Sequence, residues 1–207
     1  MQKELIKIEQ NEIMEMEQRY RATFINSLTG FKAVALVGTK DTSGNENLAI
    51  FNSLVHLGAH PPLIGMIVRP DSVARHTLEN ILETGYYTIN HIRETMVSKA
   101  HQTAARYPKE VSEFDAVGLK ALYVNDFSAP FVEEAYVRMG MKFREKVELT
   151  INGTILVIGE IQQVHLLHDA MQDDGFVDLV QAGTITNTGL DSYHTVTKGT
   201  RYPYAKP

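Results

Sequence analysis

Cysteine is absent from this chain of 207 residues. Disulfides, thiolate nucleophiles, iron–sulfur clusters and cysteine-based zinc sites are therefore excluded. Any redox chemistry that the protein performs has to use a bound cofactor. The fold itself does not need such cross-links, because a chain of this length can bury a full apolar core without them.

Positive charge and long apolar runs are also scarce. Lys and Arg number 20 against 25 Asp and Glu, so the formal net charge is −5. A nucleic-acid-binding protein carries a basic face, and this balance argues against nucleic acid as a partner. No segment is long and apolar enough to span a bilayer, and the charged N-terminal stretch lacks the apolar region of a signal peptide. We therefore predict a cytoplasmic protein with no membrane partner.

The overall composition is that of a globular protein, with 43% apolar and 22% charged residues. Together with the length, it predicts a single domain over residues 1–207. Residues 1–28 are expected to form an N-terminal helical extension, because apolar side chains recur there at mostly three- to five-residue intervals. Docking on the protein's own core and docking on a partner are the two interpretations of that stripe.

β-Type patterns begin after residue 30. Strands are predicted at 31–38, 48–55, 63–68, 86–90, 119–124, 131–137, 142–150 and 154–167. A polar turn joins the first two as a hairpin, Pro61 and Pro62 break the chain after the second, and Asn152-Gly153 supplies the positive φ of a tight turn between the last two. Residues 142–149 alternate charged and apolar side chains, as a half-solvated sheet or barrel wall does.

Only two further helices are predicted. One covers about 73–83, with Asp71 or Ser72 as its cap and Gly85 as its stop, and the other covers about 94–106 before Pro108. These helices are too few for a doubly wound parallel sheet. The fold class is therefore mainly β, an antiparallel β-barrel with peripheral α-helices.

The sequence lacks the common catalytic motifs. The sequence has no GxGxxG after a strand, no Walker-type GxxxxGK[ST] and no GxSxG. His165, His168 and Asp169 could ligate a metal if they lay on a helix, but they end a predicted strand, so we predict no metal site. His60, His91 and His194 are interpreted as surface or structural groups.

The block at 47–90 is the most informative. Its predicted strand carries Asn52 and Ser53 in an otherwise apolar run, the next strand ends in Arg69, and the helix start carries Ser72, Arg75, His76 and Thr77. Two arginines, two hydroxyls and free backbone N–H groups suit a phosphate monoester. A capped surface helix with exposed arginines explains the same residues equally well.

The same block carries a family resemblance. The run N-x-A-x-F-N-S, followed by H-P-P-L, R-P and R-H-T-x-x-N-I-x-x-T-G-x-Y-T-I-N, resembles the flavin reductase-like family of FMN-binding split barrels. The likeness extends from about Arg19 to the C-terminal Arg201-Tyr202-Pro-Tyr204. It implies a six-stranded antiparallel split β-barrel that works as a homodimer, with one FMN per subunit near the interface.

The resemblance also implies which positions hold FMN. The strand beside the ring and ribityl chain matches Phe51, Asn52, Ser53, Leu54 and Val55, with His56 next to them. The phosphate-proximal loop and helix start match Arg69, Arg75, His76 and Thr77, where the family commonly has an acidic residue before the threonine. The following helix offers Ser98, Lys99 and His101 to the phosphate or ring, a solvated helix face being the other interpretation.

The activity implied is an FMN-dependent oxidoreductase of flavin reductase type. Hydride would pass from NADH or NADPH to FMN, and electrons onward to free flavin, oxygen or a partner. Hydride transfer requires no acid or base side chain, so no catalytic residue is assigned. Two alternatives stay open: a non-enzymatic FMN-binding electron-transfer protein or flavin carrier, and a split barrel that has lost its flavin.

Overall fold

Most of the secondary structure is β. The computed structural model describes residues 3–70, 75–124 and 126–206. Its strands are β1 (Lys32–Ala33), β2 (Ala35–Lys40), β3 (Glu46–Phe51), β4 (Leu54–Ala59), β5 (Pro62–Val68), β6 (Tyr86–His91), β7 (Ala121–Leu122), β8 (Phe131–Val132), β9 (Val137–Leu149), β10 (Thr154–Leu166), β11 (Thr186–Thr188) and β12 (Ser192–His194).

The helices are short. They are α1 (Gln10–Glu15), α2 (Gln18–Leu28), α3 (His76–Thr84), α4 (Val97–Gln102) and α5 (Glu113–Val117), with 3₁₀ turns at Glu94–Met96 and His168–Ala170. None of the helices in the described ranges has the length and apolar character needed to cross a membrane.

Seven strands form the main sheet, in the order β3-β2-β6-β9-β10-β5-β4, and every neighbouring pair is antiparallel. The outermost strands, β3 and β4, are consecutive in the chain and only Asn52 and Ser53 connect them. The edges of a flat seven-stranded sheet would lie about 29 Å apart. The link spans at most about 11 Å, so the sheet has to curl into a barrel whose seam lies between β3 and β4.

Apolar side chains pack against both faces of the barrel wall. The inner cluster includes Val37, Tyr87, Ile89, Met141 and Val157, and Leu78 and Ile81 of α3 pack into it. A second cluster lies on the outer face under α4 and α5, and its members include Leu36, Leu48, Met96, Phe114 and Val132. Residues of β2 alternate between the two clusters, which is why the strand is buried on both faces.

Tyr87 and Gly159 meet inside the barrel. Tyr87 is fully buried, and a Cβ at Gly159 would overlap its phenol oxygen and lie 2.8 Å from the ring carbon that carries it. Glycine is therefore required at 159 for space rather than for backbone conformation. Burial also raises the pKa of Tyr87 well above its ordinary value.

The predicted fold class is confirmed, with a correction to the strand count. The main sheet has seven strands where the resemblance implies six. The β2–β3 hairpin is confirmed, but the single strand expected at 48–55 is wrong. The chain turns at Asn52 and Ser53, because Ser53 pairs with Ile67 of β5: the Ile67 N–H donates to the Ser53 carbonyl (3.2 Å) and the Ser53 hydroxyl donates to the Ile67 carbonyl (2.8 Å). The chain does break there: His60 and Pro61 form the turn, and Pro62 begins β5.

Both predicted helices begin or end differently. The first begins at His76, about three residues late, because Arg75 has non-helical torsion angles; the predicted caps Asp71 and Ser72 lie outside the described residues. Its predicted stop at Gly85 is confirmed by a φ of 78°. The second is a 3₁₀ turn followed by α4, which ends at Gln102 rather than near 106.

The long β9–β10 hairpin is confirmed, but its turn spans four residues, 150–153, with Gly153 at φ 70°. The expected alternation along β9 is interrupted at Arg144, because Phe143 and Glu145 pair with successive residues of β10. The strands predicted at 119–124 and 131–137 shorten to the two-residue strands β7 and β8. The N-terminal segment forms α1 and α2, neither of which buries a side chain.

Acid should destabilise the fold through His91. Burial lowers the pKa of His91 to about 4, and its Nδ1 lies 3.2 Å from the Thr184 hydroxyl. In the unfolded chain, His91 takes up its proton near pH 6.5. The contribution of His91 to the free energy of unfolding is therefore complete above that pH and is lost as the pH falls towards 4. We expect a loss of about 3 kcal/mol of unfolding free energy between pH 7 and pH 4 from His91 alone.

The measurement is urea unfolding from pH 4 to pH 7. His91→Asn, which does not titrate, should show a shallower pH dependence than the wild type by that amount. His168→Asn, at a fully exposed histidine, should leave the profile unchanged. Parallel profiles for the wild type and His91→Asn would contradict the prediction.

Candidate functional site

A cavity of about 780 Å³ opens beside the barrel seam. Most of its lining comes from five parts of the chain: β3 with the link to β4, the end of β5, the start of α3, the segment 103–109 after α4, and residues 187–191. Single residues from elsewhere complete it: Asn26, Val34, His101 and Glu113. The volume lies in the range of small-molecule and cofactor sites. The cavity thus follows from barrel closure, which brings the ends of β3 and β5 together.

Phe51, Asn52 and Ser53 form one wall of the cavity. The polar side chains of this segment have structural partners: Asn52 Nδ2 donates to the Gly189 carbonyl (3.0 Å), and Ser53 bonds to β5 as described above. These contacts hold the link in place between β3 and the 187–191 segment. The backbone of this wall is therefore fixed at both ends of the link.

Cationic and hydroxyl groups gather at one end. Arg69 follows β5, and Arg75, His76 and Thr77 lie at the start of α3. The Arg75 Nε–H donates to the Pro70 carbonyl (3.2 Å). The first N–H groups of a helix lack intrahelical acceptors and favour an anion. This end of the cavity suits a phosphate or carboxylate group.

Thr77 belongs to a buried polar network. Asn47 Nδ2 lies 3.0 Å from the Thr77 hydroxyl oxygen and 3.2 Å from that of Thr39. Asn80 Nδ2 lies 3.1 Å from the same Thr39 oxygen. Asn47 and Thr77 both line the cavity, so the network joins the interior of the protein to the cavity wall.

A buried carboxylate, Glu113, lies in the same wall. Its Oε2 accepts a hydrogen bond from the Leu48 N–H (2.9 Å), and 6% of the residue is exposed. Burial raises the pKa of Glu113, opposed by that hydrogen bond and by the nearby His76. The carboxylate satisfies a backbone donor of β3 at the cost of placing an acid beside the cavity.

The cavity has the opposite charge balance to the chain. Its lining includes Arg69, Arg75, Arg106 and Lys109 against two carboxylates, those of Glu113 and Asp191. Lys109 also pairs with Asp41 at 3.5 Å. The surplus of cations, in a chain with a net charge of −5, favours an anionic ligand.

The structure brings together eight of the thirteen predicted site residues. Those that line the cavity are Phe51, Asn52, Ser53, Arg69, Arg75, His76, Thr77 and His101. The Nδ1 atom of His101 is 2.8 Å from the Tyr193 hydroxyl oxygen, a hydrogen-bond distance.

The other five predicted residues lie outside the cavity lining. Leu54 packs against the inner core, and Val55 and His56 are exposed on the edge strand β4. Ser98 and Lys99 are exposed on α4, where the Lys99 ammonium donates to the Gly118 carbonyl (2.5 Å). Because α4 ends at Gln102, the 103–109 segment lies on the cavity instead.

The histidine cluster does not converge. The His165 ring packs edge-on against Phe131, at a centroid distance of 5.3 Å, whereas His168 is fully exposed beside Asp169. Within residues 3–70, 75–124 and 126–206, no group of three or more His, Asp or Glu side chains is arranged to hold a metal ion.

Several lining residues escaped the sequence analysis, among them Asn47, Glu113, Asn187 and Asp191. Asn47 is the first residue of the block at 47–90. The hairpin predicted for β2 and β3 places it opposite Thr39, and this polar pair was the signal that could have identified it as a site residue. Glu113 and the 187–191 segment are far along the chain from the block, and no local pattern connects them to it.

Comparison with known proteins identifies the family. The family model described as a flavin reductase like domain matches residues 31–180. The chain belongs to this family. A solved structure of a candidate flavin reductase with a split barrel domain, from Shewanella frigidimarina, is 50% identical to this chain. The two structures superpose with a TM-score of 0.93, and the match covers 97% of this chain and 100% of that one.

Two less similar structures share the fold. Nitrilotriacetate monooxygenase component B from Bacillus cereus is 22% identical, with a TM-score of 0.84 over 97% of this chain and 100% of that one. Flavoredoxin from Desulfovibrio vulgaris is 22% identical, with a TM-score of 0.74, and the match covers 84% of this chain and 92% of that one. The split-barrel fold predicted for this chain is thus confirmed.

Replacing the buried acid should stabilise the protein in a pH-dependent way. Because burial raises the native pKa of Glu113, its contribution to stability is complete below the unfolded pKa and is lost as the pH rises through the native value. Glu113→Gln keeps an acceptor for the Leu48 N–H without the charge. Its unfolding free energy should exceed that of the wild type at pH 8, and the difference should shrink at pH 4.

Urea unfolding of both proteins at the two pH values measures this effect. Glu110→Gln, at a nearby exposed glutamate, is the matched control and should show no such pH-dependent gain. A difference between Glu113→Gln and the wild type that is the same at both pH values would contradict the raised pKa.

Proposed function

We propose that the cavity binds FMN and that the protein is an FMN-dependent oxidoreductase of flavin reductase type. The observation that carries the proposal is the meeting of the 51–53 wall with Arg69, Arg75 and Thr77 in one cavity. A backbone wall can lie beside a flat ring system and offer it hydrogen bonds, and the other three residues suit a phosphate monoester. Membership of the flavin reductase-like family supports the same assignment.

The residues present fit FMN. Arg69 and Arg75 would hold the phosphate dianion, and Thr77 at the start of α3 would donate a hydrogen bond to it. Backbone groups of Asn52 and Ser53 would bond to the pyrimidine edge of the flavin. The cavity volume of about 780 Å³ lies in the range of cofactor sites.

The chain contributes binding and orientation rather than acid–base chemistry. Bound FMN would accept hydride from NADH or NADPH and pass electrons to free flavin, oxygen or a partner protein. The N–H groups of the 52–53 link would stabilise the negative charge that reduction places on the pyrimidine edge. The cationic end would hold the phosphate and the 51–53 wall would hold the ring, so the two together would fix the direction in which the ligand lies.

A second candidate is a non-enzymatic FMN-binding electron-transfer protein. The likeness to flavoredoxin over 84% of the chain favours it, whereas the likeness to a monooxygenase component favours delivery of electrons to a partner enzyme. Both candidates use the same cavity and the same FMN contacts. They differ in whether a nicotinamide reduces the flavin.

We also propose a homodimer with the cavity near its interface. The edge strand β4 starts directly after the 51–53 wall, and Val55 and Leu57 on it are 47% and 42% exposed. An edge strand with exposed apolar side chains is a surface that another copy can cover.

Absorbance spectra decide between the candidates. Purified protein with added FMN should show a perturbed flavin spectrum, and NADH or NADPH under nitrogen should then bleach it within the time of mixing. The nicotinamide that bleaches faster identifies the donor. Perturbation without bleaching would favour the electron-transfer protein, and an unperturbed spectrum would contradict FMN binding altogether.

Arg69→Ala should weaken FMN binding. Loss of a charge-assisted hydrogen bond costs about 1.5–3 kcal/mol, so the dissociation constant from fluorescence titration should rise at least tenfold. Arg144→Ala, which removes an exposed arginine paired with Glu160 on the β9–β10 hairpin, is the matched control and should not change the affinity. Equal affinities for Arg69→Ala and wild type would remove Arg69 from the phosphate site.

A further inference from the structure

Four buried polar side chains lie between the sheet and α3. Asn47 and Thr39 are directly opposed in the β2–β3 hairpin, and Thr77 and Asn80 lie one turn apart on α3. Each is at most 7% exposed. Two rigid elements therefore fix the relative positions of these groups.

The hydrogen bonds of this network have a defined direction. An amide NH₂ can only donate, so Asn47 Nδ2 donates to the hydroxyl oxygens of Thr77 (3.0 Å) and Thr39 (3.2 Å). Asn80 Nδ2 donates to Thr39 as well (3.1 Å). Both threonine oxygens therefore act as acceptors, and the single hydroxyl hydrogen of each is left for another partner.

For Thr77, the cavity is the place where that partner can lie. Thr77 is in the first turn of α3 and lines the cavity beside Arg75 and His76. By occupying the acceptor side of the hydroxyl, Asn47 leaves the hydrogen to a group inside the cavity. A phosphate oxygen only accepts hydrogen bonds, and a hydroxyl oriented beforehand binds it without losing rotational freedom.

We propose that Asn47 is a positioning residue for the phosphate of FMN, acting through Thr77. Asn47 donates to Thr77, and Thr77 donates to the phosphate. Thr39, which also accepts from Asn80, accepts a second hydrogen bond from the Asn47 amide and so holds its Nδ2 in place as a donor. This inference rests on the proposed FMN-binding function, and it predicts an effect confined to the phosphate end of the ligand.

The test compares FMN with riboflavin, which lacks the phosphate. Asn47→Asp keeps the shape of the side chain but can only accept when ionised, so it draws the Thr77 hydrogen away from the cavity. The ratio of the riboflavin to the FMN dissociation constant should fall about tenfold, while the affinity for riboflavin stays unchanged. Asn152→Asp, which adds the same charge in the β9–β10 turn, should leave the ratio at its wild-type value.

A double-mutant cycle with Thr77→Val separates positioning from charge repulsion. Thr77→Val should lower the ratio by itself, and Asn47→Asp should have no further effect in that background. A further loss in the double variant would show that the new charge acts directly on the phosphate and would overturn the proposal. If Asn47→Asp does not fold, as judged by thermal melting, Asn47→Ser takes its place in the same cycle, since its shorter side chain does not reach Thr77.

The remaining outcomes are also decisive. If Asn47→Asp keeps the wild-type ratio, Asn47 does not orient Thr77. If it weakens FMN and riboflavin equally, its role is structural and the proposal fails. A wild-type protein that binds both flavins equally would instead overturn the phosphate site, and with it the proposed function on which this inference rests.

Discussion

The two-residue link between β3 and β4 is the constraint on which the structure depends. Asn52 and Ser53 connect strands at opposite edges of a seven-stranded sheet, and so short a link is compatible only with a closed wall. The same closure brings the end of β5 beside the end of β3 and opens the cavity at the seam. Residues that close the barrel are therefore also residues that line the proposed binding site. The shape of the binding site thus depends on how the barrel closes.

Charge in the cavity is arranged against the charge of the whole molecule. A chain with a net charge of −5 repels an anion at long range, and Arg69, Arg75, Arg106 and Lys109 reverse that sign locally. The negative charge of Glu113 reduces this local positive charge. Glu113 lies there because its carboxylate accepts the hydrogen bond of the Leu48 N–H. An anion therefore meets a small attractive region in a repulsive surface, and added salt weakens both effects.

Local patterns predicted the parts of the fold and site that short-range physics controls. Gly85 ends α3 because it adopts a left-handed conformation, and the cluster Arg75, His76 and Thr77 could be found because a helix start gathers neighbours in sequence. The turn at Asn52 could not be predicted, because a small polar residue is also acceptable inside a strand. The end of α4 was missed because Ala104 and Ala105 favour helix. In the structure their N–H groups bond to carbonyls three residues back, so the chain continues as turns rather than as α-helix. Glu113 bonds to a residue 65 positions away, a distance at which no periodicity carries information.

The contact between Tyr87 and Gly159 has a consequence for how this protein can change. The two positions lie on β6 and β10, which are not neighbours in the sheet, yet they share one volume inside the barrel. A larger side chain at 159 requires a smaller one at 87, and a smaller one at 87 alone leaves a void of the size of a phenol group. Single substitutions at either position are thus both unfavourable, and the pair can be exchanged only together. We therefore expect substitutions to be tolerated at these two positions only as a pair.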